Sequence, residues 1–120
     1  MLFRSVTELV AYATAQIQRG NDTLAMSPLK TALEISPHDT LAAYHLGSIY
    51  ERAKKYTAAR DCFHLSIHSA SLKAGSAYHL AVNTPDKIHR QLEMIDLCLT
   101  LCPTHKAAKK LRKKIIKGIK

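Results

Sequence analysis

Ala43-Tyr44-His45-Leu46 returns as Ala77-Tyr78-His79-Leu80, 34 residues further along a chain of only 120. A fixed period of that length is the mark of a helical repeat, in which each unit is one supersecondary element stacked on the next. The register extends outward from the tetrapeptide. Small residues stand at Ala13, Gly47 and Ala81, Ala25 pairs with Ala59, and Leu29 pairs with Phe63, each 34 apart. Leu97 continues the last series. Pro37 closes the first unit and Pro103 closes the third two residues early.

The middle unit reads Leu46-Gly47-x-x-Tyr50 and then Ala59-x-x-x-Phe63. In this pattern it resembles the tetratricopeptide repeat. Ala43 stands where that family has Trp, Ser66 where it has the second Ala, and Ser71 where it has Pro. The first unit keeps Ala25, Leu29, Ala32 and Pro37; the third keeps Leu80-Ala81 and Pro103 but has Thr84 in the Tyr position. The resemblance covers nearly all of residues 5–103. It implies an all-α fold, a right-handed solenoid of three helical hairpins at about 5–38, 39–71 and 72–103 in a single domain, with a C-terminal helix over 104–118 as cap.

Elementary patterning agrees. Ala43, Leu46, Gly47 and Tyr50 lie at i, i+3, i+4 and i+7 and make one apolar stripe. Gly47 inside a helix costs about 1 kcal/mol against Ala, so it marks a close helix approach, a role Ala13 and Ala81 also suit. One helix pair cannot bury both faces, so pairs must stack. Ser5-x-x-Glu8 is a capping box for the first helix, and Gly20-Asn21-Asp22 breaks that helix. Thr84-Pro85 reads as an N-cap with proline at the first helical position. Pro28 fits the second helix only if that helix starts near Leu24.

The formal net charge of +9 belongs to the tail. Residues 1–105 carry ten Lys or Arg against nine Asp or Glu, whereas 106–120 carry eight cations and no acid: Lys106, Lys109, Lys110, Arg112, Lys113, Lys114, Lys117 and Lys120. Ala107, Ala108, Leu111, Ile115 and Ile119 recur there at helical spacing. The tail can cap the solenoid, as terminal repeats must, or serve as a patch for an acidic partner, nucleic acid or anionic lipid. It holds no aromatic residue, so nucleic acid would be held through phosphates alone.

Catalytic signatures are missing: there is no Gly-rich phosphate loop, nucleophile elbow or metal motif. Cys62, Cys98 and Cys102 are odd in number and outside any disulfide framework, and neither they nor His64 and His68 make a zinc spacing. No enzyme activity, metal or cofactor is expected. No apolar run nears the roughly 20 residues of a membrane span, and no signal-peptide pattern opens the chain, so a cytoplasmic location is expected.

The resemblance implies that the first helices line a concave groove that holds a segment of another protein. The positions opposite the packing stripe are Thr7, Ala11, Thr14 and Gln18, flanked by Val10; Leu41, His45, Ser48 and Arg52, flanked by Tyr44; and Gly75, His79 and Val82, flanked by Tyr78. The tyrosines suit either a ligand or the neighbouring repeat. Relatives that clamp a chaperone's C-terminal carboxylate use Lys and Asn where this chain has Val10, Thr14 and His45, so that clamp is absent. The expected function is a protein-interaction module, a small adaptor or chaperone holding a helical or extended partner segment. The small chaperones of bacterial type III secretion are similar in size and fold. The alternative is a nucleic-acid or anionic-membrane tether acting through the lysine-rich helix. Leu2, Phe3 and Val6 could cover the first helix or pair with a second chain, giving a homodimer or hetero-complex.

Overall fold

A computed structural model describes residues 5–119 of the chain, with side chains described to Gly118. Leu2, Phe3 and Lys120 lie outside the described residues. Among those residues every regular element is a helix: α1 Val6–Gln18, α2 Asp22–Ile35, α3 Thr40–Arg52, α4 Tyr56–Ser66, α5 Lys73–Val82, α6 Ile88–Leu101 and α7 Lys106–Ile119. Consecutive helices pack as antiparallel hairpins, α1 with α2, α3 with α4 and α5 with α6, and each hairpin stacks on the next. The stack measures 54 × 26 × 22 Å.

Local chemistry sets the boundaries. The Ser5 hydroxyl accepts the Glu8 amide at 3.2 Å, the cap read from the sequence. Asp39 does the same for α3, accepting the Ala42 amide at 2.9 Å. At the end of α1 the Asn21 amide reaches back to the Gln16 carbonyl while Gly20 sits at φ +80°. This is the left-handed closure glycine favours. The end of α3 closes the same way, from the Lys55 amide to the Tyr50 carbonyl, but Lys54 occupies the left-handed position at φ +61°.

Two expectations need correction. Thr84-Pro85 does not start the sixth helix. The Thr84 hydroxyl instead donates to the Leu80 carbonyl at 2.7 Å, finishing α5, and α6 begins three residues after Pro85. Pro28 is the seventh residue of α2, not a first-turn residue. Its missing N–H leaves the Leu24 carbonyl without the usual partner, and Leu24 lies on the exposed side of the helix.

The core is built from small residues at the crossings. Ala13, Ala25, Ala32 and Ala42 pack with Leu9, Leu29, Leu46 and Ile49 across α1, α2 and α3. Phe63, fully buried, carries the core on to Leu80 of the third hairpin. A Cβ placed on Gly47 would meet the Cys62 Cβ and the Phe63 ring at 3.0 Å, so α3 and α4 approach as closely as the sequence required. The last helix seats Ala108, Leu111 and Ile115 on the cluster of Ala77, Ala81, Ile95 and Cys98. It is a structural cap. His105 starts it, its Nδ1 accepting the Ala108 amide at 3.0 Å.

Candidate functional site: the first-helix face

The stripe of apolar residues turns one face of α1, α3 and α5 inward, and the opposite face is open over α1 and the start of α3. On α1, Thr7, Val10, Ala11, Thr14, Ala15 and Gln18 are spaced at i, i+3, i+4, i+7, i+8 and i+11, one face of a helix. Together with Asp39 and Leu41 at the start of α3 they line an open groove of ≈ 440 Å³. Ala11 and Gln18 are exposed and Leu41 keeps 45 % of its surface in solvent, whereas Val10 is buried in the groove floor. Its lining is apolar or uncharged apart from Asp39.

The middle of the face is already knitted together. Thr14 donates to the Val10 carbonyl at 2.8 Å and lies 3.5 Å from His45 Nε2, bridging α1 to α3. Burial, and then the nearby Arg52 charge, push the His45 imidazole below its usual value, so it is neutral at pH 7. Ser48 turns its hydroxyl back to the Tyr44 carbonyl at 3.1 Å. Arg52 makes two bonds to the Asp22 carboxylate, at 2.7 and 3.0 Å, tying the first hairpin to the second.

Tyr44 faces the third hairpin. Its ring stands edge-on to Phe63 at 5.7 Å and to His79 at 5.6 Å, and its hydroxyl fills the space where a Cβ on Gly75 would come within 2.8 Å. His79 in turn stacks on Phe63, centroids 4.8 Å apart and planes 10° from parallel. Tyr44 is therefore a packing residue at the junction of the second and third hairpins. Tyr78 is half-buried between His79 and His105, the latter 4.9 Å away. Val82 is half-buried at the end of α5.

Sequence reasoning passed over the polar cluster at the α3–α5 junction. Glu51 Oε1 takes His79 Nδ1 at 3.0 Å and Asn83 Nδ2 at 2.6 Å. Burial alone would raise the Glu51 carboxyl, but the bonds and charge from His79, the Asn83 amide and the Arg52 charge outweigh it and hold it below its usual value. Asn83 also donates to the His79 carbonyl at 2.7 Å, which fixes its amide orientation and leaves its buried Oδ1 without a partner. Glu51 follows Tyr50 of the packing stripe by one residue. Only the contact across hairpins reveals its role.

The cations of the tail line α7. Lys106, Lys109, Lys110, Arg112, Lys113, Lys114 and Lys117 are all exposed. Arg112 pairs with Asp96 of α6 at 3.1 Å. Among the described residues no three His, Cys, Asp or Glu side chains converge to hold a metal, and no helix is long and apolar enough to cross a membrane.

No family model matches the chain, and no curated protein matches it. Solved structures do. The first tetratricopeptide domain of Spaghetti (RPAP3), bound to the HSP90 peptide SRMEEVD, superposes with a TM-score of 0.87 at 15% identity, covering 97% of this chain and 94% of that one. YrrB, described as a tetratricopeptide protein with an unusual peptide-binding site, gives 0.79 at 21% identity over 92% of this chain and 58% of its own. MamA from Desulfovibrio magneticus RS-1 gives 0.74 at 17% identity over 94% and 75%. The fold is thus an all-α tetratricopeptide-like solenoid.

Proposed function

We infer that this chain is a protein-interaction module, a small adaptor or chaperone whose first-helix face holds a helical or extended segment of a partner. The observation that carries the reading is the ≈ 440 Å³ groove over α1 and the start of α3. It is open and nearly uncharged, and its lining includes Val10 and Thr14, register positions that the resemblance assigns to the partner face. An apolar face on a partner helix, or alternate side chains of a strand-like peptide, would bury against Val10, Ala11 and Leu41 while Thr14 and Gln18 supply hydrogen bonds at the edge. Two of the structural neighbours are described with a bound peptide or a peptide-binding site, which supports the same use here. Val10 and Thr14 of the groove, and His45 beside it, stand where the resemblance puts the Lys and Asn of a carboxylate clamp, which argues for a segment other than SRMEEVD as the ligand.

Binding is best tested by panning the intact chain against a displayed library of helical and extended segments. Clones that bind should share spaced apolar residues and should be lost on Ala11→Arg with Leu41→Glu, two exposed changes that leave the core intact. Clones that bind the variant equally well would place the site elsewhere and refute the reading.

A further inference from the structure

Between the second and third hairpins, residues of α4, of α5 and its end, and of α6 line a cleft of ≈ 340 Å³ that shares no residue with the first-helix groove. Its apolar walls are Ile67, Leu80 and Met94; Arg60, Lys87 and Arg90 supply three cations around it, with His64 and Asp86 beside them. The volume lies within the range of small-molecule sites, which combine apolar walls with a few convergent polar groups.

The charges are arranged in a way that helix formation alone disfavours. Lys87 is the N-cap residue of α6 and Arg90 lies in its first turn, which holds no acidic residue and no side-chain cap. The amino end of a helix carries partial positive charge, so cations are unfavourable there and an anion is favourable. Among the described residues the side chains of Lys87, Arg90 and Asp86 make no ion pair or hydrogen bond, although all three line the one cleft. Arg60 is the fixed member. It donates to the Asn83 carbonyl at 2.7 Å and to the Thr57 hydroxyl at 3.3 Å, which holds its guanidinium at the rim. Three cations against Asp86 leave a local excess of two.

We propose that this cleft is a binding site for a small anionic amphiphile, its phosphate or carboxylate head held by Arg60, Lys87 and Arg90 and its apolar body laid on Ile67, Leu80 and Met94. Arginine suits the head because its planar fork matches either oxyanion. The apolar walls set the class of ligand: a bare anion would leave them wet, and a neutral apolar molecule would leave the cations without a counter-charge. The site is separate from the first-helix face and does not depend on how that face is used.

The test is an amide-resolved NMR titration of the full chain with octyl phosphate, octanoate and inorganic phosphate. Octyl phosphate or octanoate should saturate, with shifts centred on Arg60, Leu80, Thr84, Arg90 and Met94; which of the two binds more tightly tells a phosphate head from a carboxylate. Inorganic phosphate should bind at least about tenfold more weakly, because it lacks the body. Lys87→Gln with Arg90→Gln should weaken the amphiphile by about tenfold or more, the usual loss with a charge-assisted bond. Both side chains are exposed, so the variant folds. Ala11→Arg with Leu41→Glu should change nothing. Shifts spread over the α7 lysines, equal binding by the glutamine variant, equal binding of inorganic phosphate, or no saturation would each overturn the proposal.

Discussion

Replacing Gly47 by Ala tests the close approach on which the stack is built. In an exposed helix the change would stabilise by up to about 1 kcal/mol through propensity. Here the added methyl would lie 3.0 Å from the Cys62 Cβ, 3.0 Å from the Phe63 Cζ and 3.1 Å from its Cε1. Neither neighbour can give easily. The Cys62 Cβ is fixed to the α4 backbone, and the fully buried Phe63 ring is held between His79, stacked at 4.8 Å, and the edge of Tyr44 at 5.7 Å. Overpacking a core by one methyl costs about 1–3 kcal/mol. With the propensity gain offsetting part of this, Gly47→Ala should lose roughly 1–2 kcal/mol. At about 4 °C per kcal/mol for a chain of this size, Tm should fall by roughly 4–8 °C, read by calorimetry alongside urea unfolding. Gly118→Ala is the control. A Cβ there meets nothing within 4 Å, so that variant should hold or slightly raise Tm. Phe63→Leu should make the Gly47 change less costly than the sum of the two single changes, since it opens the space the methyl needs. A rise in Tm with Gly47→Ala would refute the crossing geometry.

Other predictions follow from the junctions. Lys54→Gly should stabilise the chain by up to about 1 kcal/mol in urea unfolding, since the left-handed position at φ +61° penalises a side chain. The His45 imidazole is held below its unfolded value, so the unfolded chain binds more protons; stability should drop as pH falls from neutral through about 6.5, the ordinary value, and His45→Gln should flatten that part of the profile. Glu51 is depressed in the folded state, so its contribution is present above its ordinary value of 4.5 and is lost as pH falls through the lower folded value; Glu51→Gln should remove that acid limb in pH-dependent unfolding. The SRMEEVD peptide should give no saturable signal in titration calorimetry if Val10, Thr14 and His45 stand where the resemblance puts the Lys and Asn of a carboxylate clamp.

The architecture was legible because it repeats. One tetrapeptide and the spacing of Gly47, Ala59 and Phe63 are local statements about helix faces, and burial of Ala13, Gly47 and Ala81 follows from them. The caps were partly legible: Ser5 declared itself, but Asp39 and His105 act through geometry that a single residue type does not reveal. Thr84-Pro85 misled because a Thr can equally bond back to the preceding turn. The groove positions on α1 could be read from register. The Glu51–His79–Asn83 cluster and the cleft between the second and third hairpins could not, since each joins residues roughly 20 to 35 apart in sequence through the stacking of neighbouring hairpins, whereas packing of Tyr44 on the next repeat was one of two readings its register left open. The tail's apolar stripe announced a cap, and Leu111 and Ile115 do cover Ile95 and Cys98. For that reason the helix cannot be deleted to test its charge; its lysines must be neutralised instead.

The most direct test of the central reading is affinity capture from native cytosol, treated with nuclease, using three forms of the chain checked for equal helicity. These are the natural sequence, Ala11→Arg with Leu41→Glu in the groove, and Lys109→Gln, Lys110→Gln, Lys113→Gln and Lys114→Gln on α7. One protein partner should stay with the natural sequence and the lysine variant and be lost from the groove variant. Retention by the groove variant with loss from the lysine variant would contradict that reading, and would make the basic helix the functional element and the repeats its scaffold.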